Sequence, residues 1–98
     1  MGTSAKSAQF LIDSRLAEAA RGDGDALYDL GLCYSTGTNG VDIDLVEAHK
    51  WFNLASIAGL ETAQMCRAEI AEDMTAREIA TAQAAARSWL QQTQRRAA

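Results

Sequence analysis

Only a few residues of this chain belong to types that do chemistry, and they are scattered. His49 is the single histidine. A catalytic base needs a nucleophile and an orienting group in contact with it, and no serine or cysteine stands one helical turn from His49. A structural or solvated histidine is the expectation. Cys33 and Cys66 could join His49 as three zinc ligands, but no CxxC or HxxxH pairing exists and a fourth ligand would have to be recruited. Small buried hydrophobes are the better reading of both thiols. Asp23, Asp25 and Asp29 invite comparison with a calcium loop. That pattern fails, because its fifth, sixth and twelfth positions would be Leu27, Tyr28 and Tyr34. Asp42, Asp44 and Glu47 read as loop and cap residues. No metal and no cofactor is expected.

The bulk composition narrows the function classes. A chain of 98 residues fits one domain, burying roughly two thirds of the surface that its unfolded form exposes. Proline is absent and alanine fills 20 positions, both favouring helix and the close approach of thin helices. No stretch approaches the ~18 apolar residues of a membrane span. The first residues lack a secretion-signal pattern, and Lys6 stands where a myristoylation motif after Gly2 needs Ser or Thr. The expected location is the cytoplasm, with reduced thiols. Net charge is −4 and unevenly spread. Residues 1–21 carry +1, residues 22–73 carry ten acids against Lys50 and Arg67, and residues 74–98 carry four arginines against Glu78. An acidic middle repels phosphate backbones, which argues against nucleic acid, and attracts a basic partner surface.

Periodicity predicts five helices and no strand. The first runs from about Ser4 to Arg21, with Ala8, Leu11, Ile12, Leu16, Ala19 and Ala20 along one side. Gly22 stops it and Asp23 is placed as the next N-cap. The second spans about Gly24 to Ser35, and Thr36–Gly40 reads as a tight loop. Asp44 and Glu47 form an aspartate variant of the capping box, opening a third helix to about Ala58. A fourth covers about Glu61 to Glu72. Thr75 and Glu78 make a full capping box, with Met74 set to staple onto Ile79, and the fifth helix runs on to about Gln94. Arg95 and Arg96 would complement its dipole.

A shift of 37 residues superposes Ala26 on Ala63 and Ala19 on Ser56, so the unit is a helix pair that must stack on a neighbour to bury both faces. Within it fall Ala26, Leu30, Gly31, Tyr34, Gly37, Gly40, Asp44, Ala48, Trp51, Ala55 and Gly59. That order and spacing resembles a Sel1-like repeat, a relative of the tetratricopeptide repeat. The resemblance covers one complete unit, residues 22–59. It implies an α/α superhelix, a short solenoid, whose members act as adaptors and scaffolds, often in bacterial signalling. Residues 1–21 then form an N-terminal capping helix, residues 60–94 a degenerate second pair without the glycine loop, and residues 95–98 a tail. Secreted relatives pair cysteines between the helices of one unit. Cys33 and Cys66 lie in successive units and are not equivalent under the shift, so no such pair is implied.

Gly31 in mid-helix costs about 1 kcal/mol relative to alanine. Close approach of the partner helix is the expected compensation, with Trp51 or Tyr34 over the gap. Gly37 and Gly40 allow positive φ in the loop. The function expected is a non-catalytic protein–protein interaction module, with a homodimer as one admissible assembly. By analogy with tetratricopeptide arrays, the first helix of each pair faces the partner, which points to Asp25, Asp29, Leu32, Cys33 and Thr36, then Gln64, Met65 and Glu69. Trp89, late in the last helix beside Leu90, reads as core, or as an interface anchor if left uncovered. Two alternatives stand beside this: a dedicated protein inhibitor of one target, and a small hydrolase. Cysteine-rich relatives are linked to β-lactam hydrolysis, but no Ser-x-x-Lys arrangement is present.

Overall fold

The computed structural model describes residues 3–97, and the side chains of residues 7–94. Five helices make up the described residues, with no strand among them: α1 Thr3–Ala20, α2 Gly24–Thr36, α3 Leu45–Ile57, α4 Glu61–Ala71 and α5 Ala76–Ala97. Their bounds fall within three residues of the sequence expectations. The largest difference is at α5, whose helical backbone continues through the expected tail to Ala97. Gly2 and the side chains of Arg95 and Arg96 lie outside the described residues. Among the described residues, no helix is long and apolar enough to cross a membrane.

The helix ends follow from local chemistry. The Asp23 carboxylate accepts from the Asp25 and Ala26 amides at 3.0 and 3.3 Å, satisfying donors that the first turn of α2 would otherwise leave free. Gly37 closes α2 at φ 71°, its N–H donating to the Cys33 carbonyl. At α3 the Asp44 carboxylate accepts from Glu47 N–H at 3.1 Å. The return half of the expected capping box is missing there. Glu47 instead accepts from Lys50 Nζ at 3.4 Å and from the Trp51 indole at 3.3 Å, while the Asp44 N–H donates to the Tyr34 carbonyl. The Thr75–Glu78 box opening α5 has both halves, at 2.8 and 3.1 Å.

α3 is the hub. It packs on α2, α4 and α5, α1 packs on α2, and α4 and α5 are not a principal packing pair. Leu27, Leu30, Trp51, Phe52 and Leu54 fill the centre, and Ala26, Ala48, Ala55, Ala63, Ala82 and Ala86 are buried where helix axes come close. Gly31 marks one of these approaches. A Cβ there would stand 2.5 Å from two ring atoms of Phe52. The aromatic over the gap is therefore Phe52, not Trp51 or Tyr34 as the sequence suggested. Trp51 turns the other way and meets the edge of Trp89 at 4.8 Å between ring centroids, with Lys50 Nζ 4.3 Å above it, a contact that joins α3 to α5.

Candidate protein-binding surface

α2 sets out Asp25, Tyr28, Asp29, Leu32 and Thr36 at spacings of three and four, which puts them on one stripe. The buried stripe of the same helix, with Ala26, Leu27, Leu30 and Gly31, is held on the core. α4 is fixed by buried Ala63 and by Arg67, which bonds to Asn53 of α3. That orientation leaves Glu61, Gln64, Met65, Ala68 and Glu69 exposed. The two helices meet at a seam where the Tyr28 hydroxyl lies 3.8 Å from Cys66 Sγ.

The seam is acidic as well as aromatic. The Tyr28 phenol is pushed above its ordinary value, first by the hydrogen bond to Cys66, then by burial, then by the Cys66 thiol and the Asp29 and Glu69 carboxylates. Those last two influences come from different helices, so carboxylates of both α2 and α4 act on the phenol. Met65, 66% exposed, stands next to Cys66 in the same helix. An anionic rim around an aromatic ring and a flexible thioether can hold a cation and bury the apolar stem beneath it.

The residues expected to contact a partner divide into four groups. Asp25, Gln64, Met65 and Glu69 are open to solvent, and so is Thr36, whose hydroxyl donates to the Leu32 carbonyl at 2.7 Å. Asp29 and Leu32 are half-buried, and Asp29 accepts from Arg15 Nε of α1 at 3.0 Å. Cys33 is a correction: it is 5% exposed, and its Sγ accepts from Asn39 Nδ2 at 3.2 Å, so it belongs to the core. Trp89 does not join this surface. It is half-buried, and with Ala19, Leu27, Leu54, Ile57 and Leu90 it lines a separate cleft of about 330 Å³. Tyr28 was missed from sequence, although its place one turn after Asp25 and one before Leu32 could have revealed it.

The repeat positions take structural places. Ala26, Leu30, Gly31, Ala48, Trp51 and Ala55 are buried, Tyr34 is half-buried, and Gly37, Gly40, Asp44 and Gly59 stand at helix ends and in the loop. The Tyr34 phenol is raised by burial and then by Glu47, Asp44 and Cys33.

His49 is 4% exposed, and its Nδ1 has no hydrogen-bond partner. Burial, and secondarily the Arg67 charge, lower its pKa from the usual 6.5. Cys33 and Cys66 are free thiols. Among the described residues, no three His, Cys, Asp or Glu side chains gather at metal-binding distance. Comparison of the chain with protein-family models, with curated proteins and with solved structures finds no match to any of them.

Proposed function

We propose that this chain is a non-catalytic protein-binding module, an adaptor or scaffold that takes a partner protein or peptide with a basic surface on the α2–α4 seam. The observation that carries this reading is the seam itself. Tyr28 and Cys66 meet there, Asp29 and Glu69 both act on the Tyr28 phenol, and Asp25 and Met65 remain open beside them. Carboxylates at such a rim steer the encounter, and the aromatic and thioether groups supply affinity.

We read the architecture as a short solenoid of Sel1-like repeat type. In support, Ala26 and Ala63, equivalent under the 37-residue shift, are both buried. Each helix packs on its chain neighbour up to α4, and α5 then returns to α3 rather than pairing with α4, the departure to be expected of a degenerate last unit. Free Cys33 and Cys66 fit a reducing cytoplasmic setting. The inhibitor alternative uses the same surface and differs only in what the partner does. The hydrolase alternative has less support, because the one imidazole is buried with an unpartnered nitrogen.

The test is capture from the native host by the wild-type chain and by an Asp25→Lys/Glu69→Lys chain of equal helicity. Proteins retained by the first and lost by the second are the expected result. An identical set retained by both overturns the assignment of this face.

A further inference from the structure

We infer that α1 occupies, in cis, an extension of the binding seam that accepts an arginine-bearing amphipathic helix in trans. This rests on the reading of α2 as a partner-facing helix. Of the α2 residues pointing outward, Asp29 and Leu32 line a cleft whose other wall is Leu11, Ile12 and Arg15 of α1. Arg15 is placed as a partner's cation would be, with Nε donating to Asp29 at 3.0 Å. Ile12 supplies the apolar anchor three residues before it and is the sole buried side chain among residues 7–18.

The fit is loose. Two clefts, of about 340 and 430 Å³, flank Ile12 and share Asn39 as a wall, whereas a settled helix contact closes to near-crystalline density. Phe10 and Leu11 beside it are 70% and 42% exposed. Over residues 7–18, α1 is thus held by buried Ile12, partly buried Leu16 and one half-exposed ion pair. Charge favours an arginine-bearing helix here, since the surface it meets belongs to residues 22–73, which carry −8. The occupant that this surface fits is an amphipathic helix with an aliphatic residue three positions before an arginine.

A fluorescent peptide with the sequence of residues 7–21 is the probe, titrated by anisotropy into three full-length chains: wild type, Ile12→Asp/Arg15→Glu, and that variant with Asp29→Lys added. The chain whose own α1 is weakened should bind the peptide at least tenfold more tightly than wild type, because an internal competitor has been removed. Adding Asp29→Lys should abolish the gain. Arg15→Glu alone, which leaves the apolar contact in place, should show a smaller gain in the same direction. On the wild type, hydrogen exchange at residues 8–17 should run at least tenfold faster than in α3.

Equal binding by wild type and the weakened chains, or amides of α1 as protected as those of α3, would overturn the inference. Either result leaves the seam at Asp25 and Glu69 untouched, so host proteins lost on reversing those two charges would still support the module. Peptide binding without any such host protein would sink the module reading and keep the groove.

Discussion

Gly31→Ala should destabilise this protein even though alanine is the better helix former. The substitution gains about 1 kcal/mol of helix propensity. Its new Cβ would stand 2.5 Å from Cδ1 and Cε1 of Phe52, against the roughly 3.5–4.0 Å that carbon atoms prefer. The ring would have to withdraw by over an ångström. Phe52 is 1% exposed and lies against Tyr28, 5.8 Å between centroids, so it has little room to move. Overpacking of this kind costs about 1–3 kcal/mol, so the net loss should be about 1 kcal/mol, or roughly 4–8 °C in Tm for a chain of this size. In a Phe52→Leu background the clashing ring atoms are gone, and Gly31→Ala should become neutral or stabilising. Urea unfolding of the four proteins by circular dichroism closes the double-mutant cycle, with an expected coupling of about 1–3 kcal/mol. A Gly31→Ala protein at least as stable as wild type, or the same effect in both backgrounds, would refute the close-approach reasoning.

Two further perturbations follow from single groups. Because the folded chain holds the His49 pKa below its unfolded value, the unfolded state takes up the proton first as pH falls. Stability from this residue is therefore intact above about pH 6.5 and declines below it, by at most about 1.4 kcal/mol per pH unit. His49→Gln should flatten the pH 5–7 dependence of urea midpoints, and an unchanged slope would place the titration elsewhere. Thr75→Ala removes the side chain that accepts from the Glu78 amide at 3.1 Å and should cost about 1 kcal/mol, read by the same unfolding assay. No measurable loss would mean that the packing of α5 on α3 alone sets its first turn.

The helices and their caps were legible because they depend on neighbours in the chain. Asp23, Gly37, Asp44 and the Thr75–Glu78 pair act within four residues of themselves, and each stands where its type predicts. What failed to read through depended on helix rotation. Trp51 and Phe52 are adjacent and about 100° apart on α3, so only the docked orientation decides which covers Gly31. Glu47 left its reciprocal capping role because the Trp51 indole, one turn on, offered it a donor. Cys33 was expected both as a buried thiol and as a partner contact. It is buried, with the Asn39 side chain donating to its sulfur. Tyr28 gained its place at the seam only through Cys66, 38 residues away.

The affinity of a captured partner for the chain, measured by titration calorimetry at low and at high salt, shows whether the acidic α2–α4 seam carries binding. Wild type should bind with an affinity that falls steeply with salt, and Asp25→Lys/Glu69→Lys should lose at least tenfold at low salt, with helicity unchanged. Equal affinity for wild type and the charge-reversed chain, insensitive to salt, would contradict it.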